Sequence, residues 1–107
     1  MNSMDMETLV LEKLDIRFGG RDFHSLDFQK AELVLVTQYG DRLWYIDVDG
    51  ISDAGLLEWF SHSDDIKVEL LAVVKSGEVW EGTGYLHPNE PNRAAAIRGE
   101  GELKKTQ

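Results

Sequence analysis

The run Ile66-Lys-Val-Glu-Leu-Leu-Ala-Val-Val74, then Lys75-Ser-Gly-Glu78, then Val79-Trp-Glu-Gly-Thr-Gly-Tyr-Leu86, decides the fold class. In the first stretch Ile66, Val68, Leu70, Ala72 and Val74 fall on alternate positions, which is the period of a half-buried strand. The glycine-containing segment Lys75–Glu78 turns the chain back, so Val79–Leu86 returns as an antiparallel neighbour. Helical burial would need apolar residues three and four apart.

The same period extends toward the N-terminus. Leu14, Ile16 and Phe18 alternate with Asp15 and Arg17 until Gly19-Gly20 stops them. Leu9, Val10 and Leu11 precede that set out of phase, which predicts a bulge near Glu12-Lys13. Leu26 and Phe28 alternate again and suggest the start of a further strand. Ala31 to Gln38 is apolar on both faces, the pattern of a strand covered on both sides. Tyr39–Arg42 is a turn, and Leu43–Val48 returns with Trp44, Ile46 and Val48 on one face.

One helix interrupts the strands. Ser52 is a candidate N-cap with Asp53 in the first turn, and Leu56, Leu57 and Phe60 form an apolar stripe over residues 53–60. Ser61–Asp65 is a polar break. Beyond Leu86 the loop His87-Pro-Asn-Glu-Pro-Asn92 carries two prolines that a central strand would not tolerate. Ala95, Ile97, Gly99, Gly101 and Leu103 then alternate with charged residues to form the last strand, which as the end of the chain is expected at a sheet edge. Gly82 and Gly84 are expected opposite Gly99 and Gly101, with Trp80 or Tyr85 lying across them. The fold class is therefore mainly β: an antiparallel sandwich or partly open barrel with one short helix near 53–60. It forms a single domain over residues 1–107, with 1–7 and 104–107 expected to fray.

Composition narrows the function. Twenty acidic against 11 basic residues give a formal charge of -9, a field that repels a phosphate backbone or an anionic membrane. The longest basic run is Lys104-Lys105. Without cysteine there are no disulfides, thiolate metal sites or cysteine nucleophiles. No apolar run approaches the ~20 residues of a bilayer span, and the opening Met1–Glu7 has no basic-then-apolar leader pattern, so a cytoplasmic location is the expectation.

The candidate chemistry is sparse. Asp47-Val-Asp-Gly-Ile-Ser-Asp53 with Glu58 has the outline of a calcium loop, but Ser52 stands where the loop needs glycine and Ile51 where it needs a ligand. A strand end followed by a helix cap explains every residue there. His24, His62 and His87 lack the close spacing of metal ligands, no serine lies in a nucleophile elbow, and Gly82-Thr-Gly84 lacks the rest of a phosphate loop. No catalytic residue, metal or cofactor is assigned.

The closing residues Glu81-Gly-Thr-Gly-Tyr-Leu86, a Pro/Asn loop, and Ala96-Ile-Arg-Gly-Glu-Gly-Glu-Leu103 resemble the C-terminal hairpin of phage tail tube and related tail proteins. The resemblance covers about a quarter of the chain. It implies a phage or prophage source and a non-catalytic β-sandwich that self-assembles or docks on other tail proteins. The reading is accordingly a protein-interaction or assembly module, with Trp59, Tyr85, Ile97 and Arg98 as interaction residues and a protein partner or a second copy as occupant. Two alternatives are an acidic inhibitor mimicking nucleic-acid charge, and an enzyme or ligand-binding domain whose site assembles from Asp47, Asp49, Asp53 and His87.

Overall fold

The computed structural model describes residues 5–106. In chain order the elements are β1 (Asp5–Arg17), β2 (His24–Ser25), β3 (Lys30–Gln38), β4 (Asp41–Asp49), α1 (Ala54–His62), β5 (Lys67–Val74), β6 (Val79–Asn89) and β7 (Ala94–Lys105), with a 3-10 turn at Glu90–Asn92 before β7. All pairings are antiparallel. The order β2-β1-β3-β4-β7-β6-β5, with β1 also paired to β5, closes six strands into a barrel and leaves β2 outside on β1. The molecule is a closed barrel rather than a sandwich or a partly open barrel.

Closure depends on one bent strand. Asp5–Val10 of β1 pairs with β3, whereas Leu11–Arg17 pairs with β5, and the register shifts between Leu11 and Lys13. A bulge bends its strand and increases the local twist, so a single 13-residue strand can serve two neighbours. The phase change at Leu9–Leu11 is its trace in the sequence. β5 and β6 are the hairpin expected from Ile66–Leu86, with Val68, Leu70, Ala72 and Val74 buried.

β3 and β4 form a hairpin whose central pair Tyr39-Gly40 has φ of 53° and 85°, the type I′ geometry that matches strand twist. Leu26 and Phe28 are not in a strand; β2 is only His24–Ser25, and β3 starts at Lys30. The helix is one residue offset from expectation: Asp53 is the N-cap and accepts from the Leu56 amide at 3.0 Å, while the Ser52 hydroxyl donates to Asp27. Leu56, Leu57 and Phe60 turn into the core at the barrel end near the 3-10 turn.

β7 is not an edge. It lies between β4 and β6, because β4 needs a second neighbour once the barrel closes. β6 also runs on through Pro88, where it pairs with β7 alone, so the missing proline donor breaks no ladder toward β5. Of the ends expected to fray, residues 5–7 and 104–106 take part in pairing: Asp5–Glu7 lies against Leu35–Thr37, Lys104-Lys105 against Trp80-Glu81, and the Thr106 amide donates to the Val79 carbonyl at 2.7 Å. The remaining residues of that expectation, 1–4 and 107, lie outside the described residues.

Gly84 pairs with Gly99 as anticipated, but the ring across the glycines is Trp44, not Trp80 or Tyr85. A Cβ on Gly99 would overlap the Trp44 indole, and one on Gly82 would come within 3.1 Å of it. Trp44 also donates from Nε1 to the Gly101 carbonyl at 3.1 Å. β4 and β7 pair only through Tyr45–Val48 and Ala95–Arg98, so beyond Arg98 the indole bridges the strands where the backbone ladder stops.

Candidate functional site

The four residues nominated from sequence do not converge. Ile97 is fully buried against the barrel interior, so it is core and not interface; its alternation placed it on an apolar face, and in a closed barrel that face points inward. Trp59 is half-buried on α1, packed on Phe18 and Phe60 with ring centroids 4.9 Å away in each case, and Arg21 lies over it. Arg98 and Tyr85 are exposed neighbours on the outer face, with Arg98 flanked across the strands by Tyr85 and Tyr45.

Tyr85 belongs to a polar lattice covering β5, β6 and β7. Its hydroxyl donates to Glu100, which also meets Lys67 at 3.6 Å. Arg17 grips Glu69 with two hydrogen bonds of 2.9 and 3.0 Å. The Arg17 hydrogen bonds hold the Glu69 carboxyl below its ordinary value, and the Tyr85 hydroxyl does the same for Glu100. Glu69 and Glu100 each have a cationic partner, whereas the neighbouring Glu81 and Glu102 have no ion pair among the described residues.

The opposite outer face is different, and sequence reasoning missed it. Met6 of β1, Val36 of β3 and Leu43 of β4 stand in one cross-strand row, since Met6 pairs with Val36 and Val36 with Leu43. The next row is Thr8, Val34 and Tyr45. Alternation places this set on the outside, because Leu33, Leu35, Trp44 and Ile46 occupy the inner positions. Met6 is 58% exposed and Leu43 62%. Both faces of β3 are apolar as expected; on the outer one Val34 is buried between its neighbours and Val36 half-buried, while Met6 and Leu43 are left open.

This face lies beside two unfinished ladders. Asp5–Leu9 pairs only with β3, and Asp41–Trp44 also pairs only with β3. Where β4 parts from β7, a cleft of about 640 Å³ opens, lined by Val36, Leu43, Trp44, Tyr45, Arg98 and Gly99. Tyr39, at the hairpin tip, is 74% exposed and sits in the left-handed region at φ 53°, a conformation that costs a residue with a Cβ about 1–2 kcal/mol. The signal that would have found the face is the double-sided apolar character of β3 combined with apolar Met6 and Leu43 on its neighbours.

The polar candidates for a three-dimensional site stay apart. Asp47 and His87 sit on either side of Ala96 across β7, so a whole strand separates them. Asp53 is committed to the helix cap, with His24 Nε2 at 3.9 Å from its other oxygen. Among the described residues no group of three or more His, Asp or Glu side chains is disposed to hold a metal ion. Among the described residues no helix is long and apolar enough to cross a membrane. No protein-family model matches this chain, and no curated protein or solved structure matches it.

Proposed function

We propose that the protein is a non-catalytic protein-interaction module that docks through the outer face of β1, β3 and β4. The observation that carries this reading is exposed Met6 and Leu43 flanking half-buried Val36 in one row beside the unpaired edge of β1. A contiguous apolar face left open on a small domain is a docking site or an aggregation hazard, and the half-buried Tyr45 beside it suits the former. The likeness of the C-terminal hairpin to tail proteins belongs to the same proposal, as does a cytoplasmic setting. An assembly role of that kind would use this face in place of the β7 edge.

The test is site-directed photo-crosslinking in cells that express the protein natively. A photoreactive residue at position 43 is expected to trap a discrete partner, one at position 81 on the polar face to trap none, and Met6→Glu to abolish the adduct. Equal labelling from both positions, or none from position 43, overturns the reading.

A further inference from the structure

The free edge of β1 specifies the chemistry of what adds to it. The Lys75 amide donates to the Val10 carbonyl at 3.0 Å, so the backbone groups of Val10 face away from β3. In an antiparallel ladder both groups of a residue point to the same side and alternate along the strand. Met6 and Thr8 therefore direct their N–H and C=O groups outward, where no described strand meets them, while Asp5, Glu7 and Leu9 spend theirs on β3. Lys75 closes the edge at Val10 and leaves a template of about five residues.

The side chains beside this edge come in two sets. Met6, Thr8 and Val10 line the outer face, and Asp5, Glu7 and Leu9 the inner one. Asp5 and Glu7 have no ion pair among the described residues. Arg42, two strands across on the same face, is drawn over Trp80 at 5.5 Å. On the outer face Glu32 pairs directly with Asp47 and already has Lys30 at 3.9 Å, so the unpartnered acids beside the edge are Asp5 and Glu7. A second copy of this chain fits poorly, since antiparallel pairing centred on Glu7 sets Glu7 against Glu7 and both partners carry a charge of -9.

Resting on the docking face argued above, we propose that the Asp5–Leu9 edge accepts an extended segment of a partner protein as an added strand, apolar at alternate positions and lysine or arginine at those between. The apolar residues extend the row of Met6 and Val10, and the basic ones meet Asp5 and Glu7. Main-chain bonds to Met6 and Thr8 supply the register-independent part of the affinity.

The probe is an acetylated and amidated hexapeptide of alternating valine and lysine, titrated into the isotope-labelled full chain and followed by amide chemical shifts, with a valine–glutamate peptide as control. The lysine peptide is expected to shift the amides of Met6 and Thr8 first, and Glu7→Lys to weaken binding about tenfold. Thr8→Pro, which removes an outward donor and no bond to β3, is expected to abolish binding at an unchanged melting temperature. Equal binding of the glutamate peptide, shifts centred on Glu69, Glu81 and Glu100, no binding of either peptide, or undiminished binding to Thr8→Pro each overturns the proposal. So does a wild-type dimer that Thr8→Pro dissociates. Should the peptide fail while position 43 still crosslinks a partner, strand addition is wrong and the docking face stands.

Discussion

The two outer faces of this barrel come from the same kind of strand and end in opposite states. Over β5, β6 and β7 several outward side chains meet complementary neighbours: Arg17 with Glu69, and Lys67 and Tyr85 with Glu100. Over β1, β3 and β4 the outward row is Met6, Val36 and Leu43, and the strands flanking it run past the point where the ring closes. The first face is largely polar and suits water. The second leaves apolar surface and backbone hydrogen-bonding groups together, which a monomer has no reason to assemble for stability alone.

Trp44 joins the two halves, because its indole lies on Gly99 and holds the Gly101 carbonyl of the opposite strand. Trp44→Ala removes a buried ring and the only side-chain bridge between β4 and the C-terminal half of β7 seen among the described residues, and should lower unfolding stability by about 3–5 kcal/mol. Gly99→Ala disturbs the same contact by overpacking and should cost about 1–3 kcal/mol. Urea denaturation measures both. A loss well below 1 kcal/mol for Trp44→Ala would mean that the ladder at Tyr45–Val48 holds the halves together without the indole.

The polar lattice should show itself in acid. Glu69 and Glu100 have carboxyl groups held below the ordinary value of 4.5 by Arg17 and Tyr85 respectively. A depressed folded-state value means that their contribution is complete above about pH 4.5 and disappears as the pH falls through the lower value. Glu69→Gln and Glu100→Gln should therefore flatten the loss of melting temperature toward about pH 3, with the difference fading in high salt because these side chains are exposed. Acid profiles that superimpose on wild type at low salt would show the lattice to be geometric only.

The smallest effect belongs to the open face. Leu43→Ser should change stability by no more than about 0.5 kcal/mol, since Leu43 is already solvated, while reducing self-adhesion at high concentration. Equilibrium unfolding and light scattering separate the two. A destabilisation near that of Trp44→Ala would show that Leu43 is packed in solution and the face is not open.

Much of this architecture was legible in the linear pattern. Val68 to Val74, and Trp44, Ile46 and Val48, all point inward as their alternation requires, and the broken phase at Leu9–Leu11 marks the bulge that bends β1. Of the glycine pairing, Gly84 with Gly99 was legible, but not the register shift that leaves Gly82 and Gly101 unpaired, nor the ring that fills the space, because Trp44 lies 55 residues from Gly99 and no local rule selects among three tryptophans. The docking face was illegible for the same reason. Ile97 and Met6 are both apolar residues on terminal strands, and only the pairing partners of each strand place one in the core and the other in water.

By itself the sequence determined the strand periods, the turns, the single helix and the absence of thiol chemistry, since each depends on residues within a few positions of one another. The tertiary structure alone decided that β1 closes on β5, that β7 is interior, and that Met6 and Thr8 face an empty edge. Those outcomes rest on contacts between segments some sixty residues apart, such as Leu14 with Ala72, whose free energy no single stretch of chain contains.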